Sequence, residues 1–159
     1  MGYTVSVERQ VDLSSKFVFD ALNDFCGINR LLPDMIESVD CSGSGIGMTR
    51  RITLQGGGQV VERLEVSREN DLFGYSILEN DALPIDDYFA FVSLEPLSNA
   101  KTKVVYQSNF KATGENPHEM TVMITQLYNS MQKKQKLNYL GSSDEISQKK
   151  PAYVSFEEE

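Results

Sequence analysis

Two residues of opposite charge stand where the buried face of a hairpin is expected. Residues 48–66, MTRRITLQGGGQVVERLEV, fit two strands around a glycine turn. Because side chains alternate along a strand, each strand has one face that is apolar except for a single charge, Arg50 in the first and Glu62 in the second. With the glycines at 56–58 as the turn, the predicted register makes these two residues diagonal neighbours, within reach of an ion pair.

Two interpretations of this pair remain open. Charges surrounded by residues such as Ile52 and Leu64 cost several kcal/mol each in a dry core, so water or a ligand in a cavity would have to satisfy them. A sheet face that lines a cavity offers this. Alternatively, the pair is structural or lies on the surface, as we expect for Arg51 and Arg63 on the opposite face.

Methionine and tyrosine side chains supply further candidates for a binding site. Residues 116–136, NPHEMTVMITQLYNSMQKKQK, carry an apolar stripe at helical spacing: Met120, Met123, Ile124, Leu127, Tyr128 and Met131. Flexible thioethers suit surfaces that adapt to varied apolar ligands, although such a stripe also fits an ordinary core. Tyr75, Tyr88 and Tyr106 offer rings with one polar tip, which fit either sheet packing or a pocket.

Established catalytic and metal-binding patterns are not found in the sequence. The single histidine, His118, lies in the first turn of the predicted helix, and no catalytic triad is supported. Cys26, Cys41 and His118 lack any usual zinc spacing. The glycine-rich pieces SGSGIG and LQGGGQ do not lead from a strand into a helix, so they are predicted to be hairpin turns. We expect no metal and no cofactor.

Composition narrows the class of protein and of partner. The 159 residues suit one domain, and the net charge of −8 opposes nucleic acid as a partner. No stretch of 18 apolar residues occurs, so we expect no stable membrane insertion. Two cysteines are too few for a disulfide framework, which predicts free thiols in a reducing compartment and a cytoplasmic protein. We expect a monomer or a homodimer.

The periodicity of apolar residues gives the order of the elements. Tyr3 to Gln10 alternates as a first strand, and a helix capped by Asp12 or Ser14 follows and ends at Gly27. A second short helix is expected at 28–32. Six strands at hairpin spacing come next, at 36–42, 48–55, 59–68, 72–79, 87–95 and 101–112. A long helix capped by Asn116 then begins. Residues 1–140 form the predicted domain, and 141–159 a polar, flexible tail.

In this order the elements resemble the helix-grip fold of the START and birch-pollen-allergen-like (SRPBCC) superfamily, in particular its bacterial polyketide cyclase/dehydrase-type branch. The resemblance covers about residues 3–140 and is carried by short motifs: DF at 24–25, LLPDMIESV at 31–39, GMTR at 47–50, ERL at 62–64, YSI at 75–77, LP at 83–84 with Tyr88, and Tyr106. Relatives commonly have a tryptophan near Leu31 or Leu32, whereas this chain has none, which implies a different entrance.

The resemblance implies an α+β fold in which a curved seven-stranded antiparallel sheet grips a long C-terminal helix, with two short helices after the first strand. A cavity between sheet and helix would hold a small hydrophobic molecule. The implied ligand-binding residues are Arg50, Ile52, Glu62, Leu64, Tyr75, Tyr88, Tyr106, Met120, Ile124, Leu127, Tyr128 and Met131.

Three functions remain open at this point. The first is binding or transport of a lipid-like or aromatic ligand whose polar end Arg50, Glu62 and a tyrosine orient. The second is a cyclase or dehydratase in which Glu62 moves a proton and Arg50 or a tyrosine stabilises an enolate. The third is a groove for an apolar segment of a partner protein.

Overall fold

The protein is described by a computed structural model, which covers residues 2–113, 118–119, 121–130 and 154–158. Outside these ranges lie Met120 and Met131 of the candidate ligand-binding set, the predicted helix cap at Asn116, and the segment 131–136 of the predicted long helix.

An antiparallel sheet of eight strands forms the body of the molecule. The strands are β1 (Gly2–Val11), β2 (Ile36–Ser42), β3 (Thr49–Leu54), β4 (Gln59–Arg68), β5 (Leu72–Asn80), β6 (Ile85–Ser98), β7 (Lys101–Ala112) and β8 (Val154–Glu158). Their order across the sheet is β2-β3-β4-β5-β6-β7-β1-β8. The predicted meander of six strands and its closure by β1 are therefore confirmed. Strand β8 is an addition that lies within the segment predicted as a polar tail and pairs with β1.

Two short helical segments follow β1, as predicted, but their boundaries differ. Helix α1 (Ser15–Asn23) begins at Ser14, whose hydroxyl accepts a hydrogen bond from the main-chain N–H of Phe17 at 3.1 Å. A 3-10 helix (Phe25–Arg30) follows, so Gly27 lies inside it and does not end α1. A Cβ atom at Gly27 would lie 2.2 Å from a carboxylate oxygen of Asp24, so any larger residue there would require the Asp24 side chain to move.

A C-terminal helix packs against the inner face of the sheet. Residues 118–119 and 121–130 are helical, and we call this segment α2. Ile124 and Tyr128 are buried, and the ring of Tyr128 lies 4.9 Å from that of Tyr106 on β7. The helix-grip arrangement is thus confirmed for the described part of the helix.

Strand β6 contains one extra residue near its start. Pairing with β7 shifts between Asp86 and Phe89, and Asp87 adopts a positive φ of 52°. Ile85 and Tyr88 are both buried although three positions separate them, while Asp86 and Asp87 are exposed. This β-bulge places both apolar side chains on the inner face.

Cys26 and Cys41 form a disulfide, so the prediction of free thiols is wrong. The fold brings the 3-10 helix beside β2, and the two Cα atoms lie 6.0 Å apart despite a sequence separation of 15. Among the helices that the structure describes, none is long and apolar enough to cross a membrane.

Candidate functional site

An apolar cavity lies between the inner face of the sheet and α2. Its volume is about 80 Å³. Its lining comprises Ile28, Leu32, Met35, Ile36, Arg50, Ile52, Leu54, Val60, Glu62, Tyr75, Ile77, Leu83, Ile85, Tyr88, Met123, Ile124 and Leu127. Apart from one arginine, one glutamate and two tyrosine hydroxyls, this lining consists of aliphatic and thioether side chains.

The two charges of the lining form a buried ion pair. Arg50 on β3 stands directly opposite Glu62 on β4, not diagonally as the predicted register had it. The Nε of Arg50 donates to Oε1 of Glu62 at 2.8 Å. The two side chains are only 3% and 9% exposed, which excludes the surface interpretation for this pair.

Phe25 at the start of the 3-10 helix provides Arg50 with two further contacts. Nη1 of Arg50 donates to the main-chain carbonyl of Phe25 at 2.9 Å, and the guanidinium carbon lies 3.7 Å from the centre of the Phe25 ring. A second ring, that of Tyr75, lies at 5.2 Å. Cation–π contacts of this kind stabilise a desolvated guanidinium. The pair is therefore held by protein groups on one side and borders the cavity on the other.

The neighbouring arginines behave as expected for the outer face of the sheet. Arg51 is exposed and pairs with Glu79 at 3.2 Å, and Arg63 pairs with Glu65 at 2.5 Å. Such exposed pairs contribute little to stability. Alternation along β3 and β4 thus separates one buried pair from two solvated ones.

Three tyrosine hydroxyls form a hydrogen-bonded chain beside the ion pair. The hydroxyl of Tyr75 lies 3.4 Å from that of Tyr88, which is hydrogen-bonded in turn to Tyr128 on α2. Three hydroxyls carry three protons, and the two bonds of the chain use two of them. If the chain runs from Tyr128 towards Tyr75, the remaining proton of Tyr75 is available to an acceptor oxygen in the cavity.

These hydroxyls stay protonated at neutral pH. Burial raises the pKa of Tyr75 and of Tyr88 well above the ordinary tyrosine value, and repulsion from Tyr128 in its ionised form adds to both shifts. Burial is also the main reason why the pKa of Tyr128 rises to about 12. The tyrosines are therefore suited to donating hydrogen bonds and not to removing protons.

Polar and apolar groups occupy different parts of the cavity. The residues nearest the hairpin turn between β3 and β4 are aliphatic, with Leu54 and Val60 beside that turn and Ile36 paired with Leu54. Arg50 and Glu62 pair further along the same strands, away from the turn. Leu83, Met123 and Leu127, which also line the cavity, are partly exposed.

The structure places the candidate ligand-binding residues in two groups. Those that line the cavity are Arg50, Ile52, Glu62, Tyr75, Tyr88, Ile124 and Leu127. Within the described part of the chain, Leu64, Tyr106 and Tyr128 are buried behind this lining instead of forming it. Tyr128 still reaches the site through its bond to Tyr88.

Sequence reasoning missed one wall of the cavity altogether. Ile28, Leu32 and Met35 come from the 3-10 helix and the turn after it, a segment too short for a clear period. Ile77, Leu83 and Ile85 were missed as well, although Ile77 lies opposite Glu62 on the next strand. Alternation along β5 was an available signal, because Ile77 lies two positions from Tyr75 and therefore on the same face.

The described residues contain no cluster of side chains that could bind a metal ion. No group of three or more histidine, cysteine, aspartate or glutamate side chains with the geometry to hold a metal ion occurs among them. His118 is exposed at the start of α2. The chemistry of the site is therefore that of one ion pair and a set of hydroxyls in an apolar cavity.

Comparison with protein families identifies the chain. The model of the family described as polyketide cyclase/dehydrase and lipid transport matches residues 3–134. The chain belongs to this family. The SRPBCC resemblance carried by the sequence motifs is thereby confirmed. A comparison with curated proteins gives no match.

Solved structures with the same fold are distant in sequence. The protein XoxI from Bacillus cereus superposes with a TM-score of 0.74 at 19% identity, over 86% of this chain and 95% of its own. Ara h 8.0201 does so with a TM-score of 0.72 at 18% identity, over 90% of this chain and 100% of its own. Norcoclaurine synthase from Thalictrum flavum, solved with dopamine and hydroxybenzaldehyde, has a TM-score of 0.70 at 15% identity, over 91% of this chain and 90% of its own. These likenesses establish the fold of the family and not an activity.

Proposed function

We propose that the protein binds a small hydrophobic molecule whose inner end carries an oxygen acceptor. The observation that carries this proposal is the separation of groups in the cavity, with aliphatic side chains beside the β3–β4 turn and Arg50, Glu62 and Tyr75 further from it. An apolar body would be desolvated by the aliphatic walls. A carbonyl, phenol or carboxylate oxygen would accept hydrogen bonds from the guanidinium and from the tyrosine chain.

The size of the cavity restricts the ligand or requires the walls to move. Its volume of about 80 Å³ is small beside the roughly 300–1,000 Å³ of sites for drug-sized ligands. Met35, Met123 and Leu127 line the cavity and are partly exposed. Unbranched or flexible side chains can change rotamer at low cost. We therefore expect either a compact ligand or an outward movement of these side chains on binding.

A cyclase or dehydratase acting in the same cavity is the alternative. It is favoured by one observation, the chain of protonated hydroxyls beside Glu62, because such donors stabilise an enolate oxygen. Against it, one oxygen of Glu62 already accepts from Arg50 at 2.8 Å, so Glu62 could contact a substrate only through its other oxygen or after release of this hydrogen bond. Binding without chemistry needs no such release, and we favour it for this reason.

A pair of tryptophan variants on β5 tests the cavity. Ile77→Trp fills the lining, whereas Leu78→Trp adds the same side chain at the next position, which is 45% exposed on the other face. Titration with an apolar fluorescent probe should show at least roughly tenfold weaker binding to Ile77→Trp. One methylene group in a hydrophobic pocket already changes affinity by about tenfold or more, and the tryptophan displaces a larger part of the probe. Leu78→Trp should bind as the unaltered protein does.

Native mass spectrometry of gently purified protein tests the same proposal without a probe. A copurified small molecule should be present with the unaltered chain and lost from Ile77→Trp. Equal probe affinity for both tryptophan variants, with both folded, would place binding elsewhere and contradict the cavity assignment.

A further inference from the structure

The disulfide lies beside the charged end of the cavity. Cys41 stands directly opposite Arg50 across β2 and β3, and Arg50 stands opposite Glu62 across β3 and β4. Directly paired residues of an antiparallel sheet point to the same face. Cys41, Arg50 and Glu62 therefore form one row across three strands, and the disulfide is its outer end.

The other half of the disulfide is attached to the residue that holds Arg50. Cys26 directly follows Phe25, whose carbonyl accepts from Arg50 at 2.9 Å and whose ring faces the guanidinium. The bond from Cys26 to Cys41 thus joins the 3-10 helix to β2, which is the edge strand of the sheet. On that edge no further strand of the described chain supports β2.

We propose that the Cys26–Cys41 disulfide and Phe25 form a positioning element for Arg50, so that reduction of the disulfide weakens the binding of anionic ligands. This inference rests on the proposed function, since it concerns the polar end of the same cavity. It assigns no ligand contact to the cysteines themselves. They act by fixing the distance between the 3-10 helix and the strand that bears Arg50.

The reduction can proceed from solvent because both cysteine residues are exposed. A thiolate of a dithiol reductant attacks one sulfur, forms a mixed disulfide and releases the other cysteine as a thiolate. The second thiol of the reductant then displaces the first cysteine and leaves as a cyclic disulfide. Two electrons and two protons pass from the dithiol to Cys26 and Cys41, which end as two thiols.

The effect on Arg50 should be partial. Phe25 is 1% exposed and its ring packs against Phe73 at 6.1 Å, so the core retains the 3-10 helix from inside after the outer tie is cut. The carbonyl and the ring would remain near the guanidinium but with greater freedom. We expect a weakened preference for anions instead of a collapse of the site.

Two probes of similar shape separate positioning from general loosening. Anilinonaphthalene sulfonate is an anion, and N-phenylnaphthylamine is its neutral counterpart. On treating the full chain with dithiothreitol, the affinity for the anion should fall about fivefold relative to the neutral probe, less than the loss of a whole charge-assisted hydrogen bond. A merely structural disulfide would change both affinities by the same factor.

The double variant Cys26→Ala/Cys41→Ala is the matched control. It should show the ratio of the reduced protein and should not respond to dithiothreitol. Circular dichroism shows whether the reduced protein stays folded. If it unfolds, the oxidised variant Phe25→Leu tests the positioning role instead, because it keeps the disulfide and the carbonyl but removes the ring face from Arg50. Its ratio should shift in the same direction.

The outcomes distinguish this inference from the proposed function beneath it. If neither probe binds the oxidised protein, the proposed cavity function fails. If both probes bind and reduction leaves their affinity ratio unchanged in folded protein, the positioning role is overturned while the binding function stands. Where reduction unfolds the protein, an unchanged ratio in Phe25→Leu leads to the same conclusion.

Discussion

Removing one charge of the Arg50–Glu62 pair should destabilise the protein more than the pair itself stabilises it. Arg50→Met leaves the Glu62 carboxylate buried without its cation, and breaking a buried pair in this way costs about 3–5 kcal/mol. Glu62→Gln leaves the guanidinium buried without its anion, but the amide oxygen can still accept a hydrogen bond from it, worth about 1 kcal/mol. The carbonyl and ring of Phe25 also remain in contact with the guanidinium. We therefore expect about 2–4 kcal/mol for Glu62→Gln.

The double variant Arg50→Met/Glu62→Gln leaves no stranded charge. It should be at least as stable as Arg50→Met alone, which gives a coupling free energy of at least about 2–4 kcal/mol between the two positions. Urea unfolding under oxidising conditions, with the disulfide intact, measures all four corners of this cycle. The same preparations serve for probe titration, in which Arg50→Met should bind an anionic probe more weakly and Glu62→Gln, which removes the competing negative charge beside Arg50, more tightly.

Arg51→Met is the control for this cycle, because Arg51 belongs to an exposed pair on the other face of the same strand. It should cost no more than about 1 kcal/mol. If Arg50→Met and Glu62→Gln cost no more than this control and their effects add, the pair is solvated and the reasoning from burial is refuted. Unaltered probe affinity in both would remove Arg50 and Glu62 from the binding site.

Two further predictions concern the tyrosines and the C-terminus. Burial raises the pKa of Tyr128 to about 12, so the unfolded chain loses this proton first, near pH 10. The contribution of Tyr128 to the free energy of unfolding is therefore fully present below about pH 10 and falls as pH rises, by about 2–3 kcal/mol at pH 12. Urea melts across this range should show a shallower fall for Tyr128→Phe, and an equal fall would contradict the assignment. A chain that ends at residue 140 should still fold, with a melting temperature within a few degrees, because β8 pairs only with β1 at the sheet edge; loss of folding would show that the domain extends beyond residue 140.

The strand positions were predictable because burial along a strand is a local, period-two property. The expected segments 59–68 and 101–112 coincide with β4 and β7. The register of the β3–β4 hairpin was not predictable from the same pattern. Leu54 N–H donates to the carbonyl of Gly58 at 3.0 Å, which closes the turn so that Arg50 meets Glu62 directly. Three consecutive glycines permit several such closures, and the sequence does not select one.

The disulfide and the second wall of the cavity depend on tertiary contacts. Cys26 and Cys41 meet only because the 3-10 helix packs beside β2. Ile28 and Met35 reach the cavity for the same reason. The prediction of a cytoplasmic location rests on free thiols. The disulfide removes this argument, because disulfides persist mainly in oxidising compartments. Location and oligomeric state stay predictions.

The bulge in β6 allows the strand to lose a residue without changing which side chains face the cavity. Without the extra residue at Asp87, Ile85 and Tyr88 would be two positions apart, and a regular strand would still direct both inwards. Asp87 points to solvent, where it pairs with Lys111 at 3.1 Å. A deletion at this position should therefore spare the inner surface, whereas a deletion within the regular stretch from Ala90 to Leu94 would turn every following side chain to the other face. The bulge is accordingly a place on β6 where one residue can be lost without rebuilding the binding site.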